Sequence, residues 1–492
     1  MTVNPKKLRP YDEPPKRPRK LIPDRPDSAA TAFFVAAALW LAVATGLGVL
    51  AIGLRLVDIG FSLPLGVFDL SFTLDERRVD YAFVNATVYG WLTNAGFAAV
   101  AFMTPRLLGK PLALEAGMTG AVAVWNLTLA GGIAALYVFD LGANAPLTAF
   151  PWLIDGGLAF GAFIVTGVFL ATAATSLRTS YVSLWFAGVA LLALLGLLSL
   201  NAGMGLLDFI VDLDDLPIAL ASVFIERAVS VMWLLGMAYA VLHYVVPRGT
   251  GQPLAWAGIG MLTFLTWLVL APLAVLSALA DASIPYVITS VGIVATMLLL
   301  VPASLAVVNL AQSMQGRWTL AFGAGTAAFA LVSLVFLFGA SLLEAIGALR
   351  AVNLLVGGTD WERGAFLWAT YGTFSFAAFA LAEHALPRIL RRSWGAGFLS
   401  SAQLWLTFGG VTVAGLALMG GGMAEGSLLA QGTTLDAVGE QLVVYRGIAF
   451  LGFGMVALAG MAFLVNLFLM YTSGERADYA IPGQSATAAA GH

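Results

Sequence analysis

Apolar residues fall in runs of twenty or more along the whole chain, separated by short polar connections. Such runs match the roughly 20 residues that a helix needs to cross the hydrocarbon of a bilayer. The pattern predicts twelve spans, at about 29–54, 82–105, 113–139, 148–174, 180–203, 217–246, 252–275, 286–312, 318–342, 363–386, 397–420 and 442–472. Backbone groups in lipid must be paired internally, so helices are the only open option at this hydropathy. The expected fold is an all-α integral membrane protein. Its membrane domain covers 28–472, between a basic tail (1–27) and an Ala-rich tail (473–492), both expected to be disordered.

The polar positions between the spans fix an expected orientation. Eight basic residues precede the first span: Lys6, Lys7, Arg9, Lys16, Arg17, Arg19, Lys20 and Arg25. Nine more fall in even-numbered connections and the C-terminal tail: Arg106, Lys110, Arg178, Arg248, Arg317, Arg388, Arg391, Arg392 and Arg476. The opposite connections are acidic instead, with Asp58, Asp69, Asp140, the group Asp208, Asp212, Asp214 and Asp215, and Asp281. The positive-inside rule then places both termini in the cytoplasm, with no cleavable signal peptide visible, and the expected location is the cell membrane of a prokaryote. Two outer loops are long. Residues 55–81 are expected along the interface, and 343–362 hold the turn-like Gly357-Gly358-Thr359-Asp360-Trp361. No internal repeat with matching glycine or proline interruptions is apparent, which argues against an inverted-repeat transporter.

Composition sharpens the chemistry. Only 10 % of residues are charged, against the roughly 25 % of a soluble domain. The absence of cysteine excludes disulfides, thiolate metal sites and iron–sulfur clusters. Nucleic-acid binding has no support, because topology and anionic lipid explain the basic tail. Three histidines occur: His243, His384 and His492.

Several segments carry a family resemblance. Phe83-Val84-Asn85-Ala86-Thr87-Val88-Tyr89-Gly90-Trp91 lies in the second span, Pro151-Trp152-Leu153-Ile154-Asp155 in the fourth, and Tyr181-Val182-Ser183-Leu184-Trp185-Phe186 in the fifth. Trp233 through Pro247-Arg248 closes the sixth, and Arg350-Ala351-Val352-Asn353 with Thr359-Asp360-Trp361 leads into the tenth. In this order they resemble the haem-copper oxidase subunit I superfamily, in particular the catalytic subunit of its C-family, the cbb-type cytochrome c oxidases related to nitric oxide reductases. The resemblance implies a twelve-helix bundle with two haems and a copper ion held by about six histidines.

This chain departs from that pattern at the ligands. The second-span haem histidine corresponds to Phe83, and the tenth-span pair, one for each haem, to Ala365 and Leu367. The sixth-span copper histidine corresponds to Arg227, the ninth-span tyrosine to Phe338, and no histidine occurs near Pro272 to Ala282, where the copper pair is expected. Phenylalanine, alanine and leucine offer iron no lone pair, and arginine stays protonated and only donates. Methionines such as Met232, Met237, Met261 and Met297 read as packing. His243 and His384, at the ends of the sixth and tenth spans, read as half-solvated interfacial residues; a metal shared with Glu383 is the sharper alternative. The haem-sized space is expected to be filled by Phe83, Phe366, Leu367, Trp368, Phe374 and Phe376, since an empty void costs roughly 24 cal/mol per Å³.

Ionisable groups inside the membrane are functional by default. Asp155, Glu226, Arg227 and Glu344 form the candidate set, read either as a polar track for protons or as a structural pairing of Arg227 with Glu344 or Glu226. The leading expectation is a redox-inactive paralogue of the oxidase catalytic subunit without haem or copper. It would act as a structural or regulatory subunit beside a cytochrome c-bearing oxidase subunit or other respiratory membrane subunits. The alternatives are a terminal oxidase or nitric oxide reductase with unconventional haem ligands, and a proton-coupled transporter whose cavity joins Asp155, Glu344 and Arg227.

Overall fold

The computed structural model describes residues 22–57, 60–64, 71–141, 144–174, 176, 180–279 and 284–476. Most of the basic tail, Asp58, Asp69, Arg178, Asp281 and His492 lie outside the described residues.

Among the described residues, eleven helices are long and apolar enough to cross a membrane. They are Ser28–Val57, Glu115–Leu136, Trp152–Ala173, Val182–Val211, Asp215–Thr250, Ala257–Leu279, Tyr286–Gln312, Thr326–Gly347, Asp360–Leu390, Gly397–Ala430 and Ala437–Ser473. They correspond to every expected span except the second, which lies in a helical run over 76–108. That run is less apolar for a physical reason. All its residues from Ala86 to Thr104 are buried, so protein rather than lipid surrounds it and Asn85, Asn94 and Thr93 find partners inside. We refer to the helices by the ordinals of the expected spans.

The second, sixth and tenth helices share one plan. Each contains a π-helical turn, at Ala86–Leu92, Val229–Leu234 and Trp368–Phe374. Each ends in Pro-Arg, followed by a left-handed residue: Gly109, Gly251 or Arg391, with φ of 65°, 67° and 52°. This repeat corrects the expectation that none exists. Its Pro-Arg endings stand in the sequence at 105–106, 247–248 and 387–388, but the π turns are carried by backbone geometry, while the side chains between the landmarks differ.

A π turn widens the helix and leaves carbonyls to be satisfied from outside it. Here the Thr93 hydroxyl donates back to Val88 O (2.8 Å) and accepts from Trp233 Nε1 (3.0 Å). In the tenth helix the Ser375 hydroxyl donates to Thr370 O (3.0 Å) and accepts from Trp91 Nε1 (2.8 Å). Thr87 and Tyr371 join the second and tenth turns through their hydroxyls at 3.0 Å. Trp125 and Trp267, on the following helices, donate to Tyr89 O (2.8 Å) and Val231 O (2.9 Å). The three turns are thus pinned to one another at the centre of the bundle.

The first helix packs on the second, third and twelfth, and the eleventh packs along the twelfth. Gly422 and Gly426 of the eleventh helix lie where a Cβ would run into the backbone of Trp361 and Leu355, so only glycine admits this approach. The long loop after the first helix holds a hairpin, Phe61–Pro64 antiparallel to Ser71–Leu74, a small β element beside the helices. The loop before the tenth helix contains the short helix Arg350–Val356, and Thr359 then caps the tenth helix by accepting from Trp361 N.

Candidate functional site

Three cavities meet between the second, sixth, ninth and tenth helices, in the half of the bundle away from the chain ends. Their volumes are about 350, 600 and 150 Å³, and Ser230 and Glu362 line all three. Phe83 and Leu367 line the first, with Arg55, Asp80, Glu226 and Arg363 at its polar side. Arg227 and Ala365 line the second, with Glu344. The third continues from Arg227 and Glu344 down to Leu337, Ala340 and Thr373. The helix geometry therefore sorts the degenerate positions into two pairs, Phe83 with Leu367 and Arg227 with Ala365.

Phe338 does not join them. Its side chain is 40 % exposed on the outside of the bundle, whereas Leu337, Ala340, Ser341 and Glu344 turn inward on the ninth helix. The match read from neighbouring Gly339 is thus displaced, since adjacent helical residues point about 100° apart.

The expectation of a filled space holds in part. Phe83 sits among Phe366 (6.2 Å between centroids), Tyr371 (6.3 Å) and Phe453 (5.7 Å). Trp368 and Phe376 pack instead on Phe336, at 5.2 and 5.8 Å, and Phe374 is buried without lining any of the three cavities. Room remains because the walls are polar on one side: a roomy, polar cavity can hold water, and the penalty of a dry void does not apply.

Arg227 Nη1 donates to Glu344 Oε2 at 2.6 Å, and Nη2 reaches Thr296 Oγ1 at 3.4 Å. Glu226 is not its partner; it accepts from the Leu147 amide at 2.9 Å. Asp155 is 2 % exposed, stands beside Asn201, and lines none of the three cavities. Fully buried Tyr89 lies within electrostatic range of both Asp155 and Glu226. Of the candidate polar set, Glu226, Arg227 and Glu344 therefore share a chamber, and none of these three cavities reaches Asp155.

An ion network that sequence reading did not assemble closes the chamber. Asp360 accepts from Arg55 Nη1 (2.5 Å), Arg446 Nε (3.2 Å) and Arg363 Nη1 (3.3 Å), and its amide donates to Glu425 (3.0 Å). Arg55 also pairs with Glu76 and Arg363 with Asp80, at 2.5 and 3.2 Å. The network ties the first, second, tenth, eleventh and twelfth helices at one end. The available signal was Asp360 inside the capped Thr-Asp-Trp turn; the partners come from positions up to 305 residues away, which sequence spacing cannot pair.

The histidines lie at the opposite end and are more buried than expected. His243 is fully buried, its Nδ1 on Tyr239 O (2.8 Å) and its ring stacked on Phe186 at 5.4 Å. His384 is 6 % exposed between Phe102 and Tyr244. Glu383 turns to Ser400 of the eleventh helix, 2.9 Å away. The three face different neighbours, and among the described residues no group of three or more His, Cys, Asp or Glu could hold a metal. The half-solvated reading fails because each ring is packed among aromatic side chains from neighbouring helices. Since Nε2 of His243 has no partner, His243→Phe should cost only about 1 kcal/mol, the one hydrogen bond lost. Unfolding midpoints of the two proteins in detergent check this, and a loss several times larger would mean that Nε2 has a role.

The positions that correspond to the family's ligands do not fit haem or copper. Phe83, Leu367 and Ala365 have no lone pair, and Arg227 already donates to Glu344.

A family model described as Cytochrome C and Quinol oxidase polypeptide I matches residues 28–455. Among curated proteins none matches the sequence. Among solved structures, the chain is similar to a heme-copper terminal oxidase dimer determined by cryo-EM. The likeness has a TM-score of 0.75 at 17 % identity and covers 90 % of this chain and 84 % of that one.

Proposed function

Since the chain belongs to the cytochrome c and quinol oxidase polypeptide I family, we propose that it is a redox-inactive member, a structural or regulatory subunit of a respiratory membrane complex. The observation that carries this reading is the identity of the side chains on the chamber walls. Phe83 faces Leu367 in one cavity and Arg227 accompanies Ala365 in the next, so none of the four positions that correspond to the family's ligands offers a lone pair to iron or copper. Arg227 adds a fixed positive charge, held by Glu344, where a metal cation would otherwise stand.

The natural partners in this reading are a cytochrome c-bearing oxidase subunit or another respiratory membrane subunit. The chain would lie in the cytoplasmic membrane of a prokaryote with both ends in the cytoplasm, as the basic connections favour. The test is an absorption spectrum of the purified chain, oxidised and dithionite-reduced, with iron and copper analysis. The expected result is no Soret band and no stoichiometric metal, while the protein migrates with a respiratory complex on native gels of solubilised membranes. A reduced haem band near one equivalent overturns the redox-inactive reading, and migration alone overturns the subunit role.

A further inference from the structure

The shared plan of the second, sixth and tenth helices has a second result at the end that carries both chain termini. Their Pro-Arg endings converge, so that Arg106, Arg248 and Arg388 all line one cavity of about 830 Å³. Its floor is buried and aromatic: Phe102, Tyr244 and His384 are at most 6 % exposed and pack edge to face. All three guanidinium groups lie within electrostatic range of His384 and of Tyr244. Arg106 lies over the Phe102 ring at 3.7 Å and Arg248 over Tyr244 at 5.8 Å. Lys110 adds a fourth cation to the wall.

Arginines in the last turn of a helix are common, because they answer the carbonyl dipole, and Arg106 and Arg388 do donate to the carbonyls of Phe102 and His384. That role does not require the three to face one cavity, nor does it explain what stands in it. Asp27 reaches in from the start of the first helix and accepts from Arg106 through both oxygens, at 2.7 and 2.9 Å. Its backbone is left-handed, with φ of 66°, a conformation that costs a non-glycine residue energy. A carboxylate in a forked contact with a guanidinium occupies the place and geometry that a phosphate oxygen pair would take. Two further carboxylates stand on the wall: Glu115 accepts from the Ala29 amide (3.0 Å) and so caps the first helix, and Asp24 is engaged with a neighbour of its own.

We propose that this cavity binds a phosphate-bearing anion through Arg106, Arg248 and Arg388, and that Asp27 is the internal carboxylate which the anion displaces from Arg106. The volume lies within the roughly 300–1,000 Å³ of small-ligand sites, larger than one phosphate needs, so the anion carries further groups over the aromatic floor. Two sources share this chemistry: a diphosphate or nucleotide from the aqueous phase, and the headgroup of an anionic phospholipid.

The experiment uses the full chain in phosphatidylcholine nanodiscs titrated with inorganic pyrophosphate by calorimetry. In parallel, phosphatidylglycerol-containing nanodiscs are scored by native mass spectrometry for retained lipid. Binding in the first arm identifies a soluble ligand, and retention in the second alone identifies a lipid. Either supports the proposal if Arg248→Gln with Arg388→Gln weakens it at least about tenfold, as expected for lost charge-assisted hydrogen bonds, while Arg317→Gln, a basic residue outside the cavity, does not. Asp27→Asn gives the opposite sign and guards against a misfolded double variant. Asparagine tolerates the left-handed backbone, and releasing Arg106 should tighten binding by about threefold or more. No binding in either arm, or binding indifferent to all these changes, overturns the proposal.

Discussion

Asp360→Asn is expected to be the most damaging single substitution in the polar part of this protein. The carboxylate is 3 % exposed and receives three arginines, two of which, Arg55 and Arg446, are themselves 8 % and 19 % exposed. An amide of the same shape removes the negative charge and turns an NH2 group toward guanidinium donors. Removing one partner of a buried ion pair typically costs about 3–5 kcal/mol, because the other charge stays behind without compensation. Arg55 retains Glu76 and Arg363 retains Asp80, so the lower end of that range, about 3 kcal/mol, is expected. The checking measurement is the unfolding midpoint in a denaturing detergent titration. Arg363→Gln provides the contrast: its side chain is 39 % exposed, so the loss should stay near 1 kcal/mol or below. Equal losses for the two would mean that Asp360 is not the hub.

The second large effect is expected at Phe83. Its ring is held by Phe366, Tyr371 and Phe453, and it borders the cavity of about 350 Å³. Phe83→Ala removes contacts on three sides, and the helices that would have to close in are pinned by the π turns just below. Large-to-small changes of this kind cost about 3–5 kcal/mol where the site cannot collapse. In a bilayer the loss is felt as missing van der Waals contact between helices, since lipid already solvates apolar groups. Phe83→Leu keeps most of the volume and should cost under about 1.5 kcal/mol. Detergent unfolding of both variants decides it; an alanine variant as stable as the leucine one would show that the neighbouring rings move in to fill the gap.

These predictions concern residues that differ in how readable they were. Spans appear in the sequence because lipid imposes a plain requirement of length and hydropathy. The second helix is the instructive case: with Asn85, Asn94 and Thr87 inside it, its hydropathy is weak, yet its place in the order was clear from the flanking charges. The sequence named Phe83, Leu367, Arg227 and Ala365 from motif order and left Arg227 to pair with Glu344 or Glu226; which of them share a cavity came only from the helix geometry. Phe338 did not, because a one-residue slip along a helix swings a side chain from the interior to the surface. The Asp360 network was hidden because five helices contribute to it and no local spacing relates Arg55 to Arg446. The π turns were hidden for a different reason. Their cause is a balance among buried hydroxyl, indole and carbonyl groups that becomes visible only when the helices are side by side.

Those pinned turns also constrain the order in which the chain can be made. Trp91 emerges early in synthesis, but its hydrogen-bond acceptor, Ser375, lies 284 residues later, and the same separation divides Thr87 from Tyr371. Until the tenth helix enters, the second helix has the partners that Trp125 and Trp233 supply, while Thr87 and Trp91 wait for theirs. The bundle is therefore assembled around an incomplete axle, and a chain ending anywhere before residue 375 leaves the Trp91 indole without its acceptor.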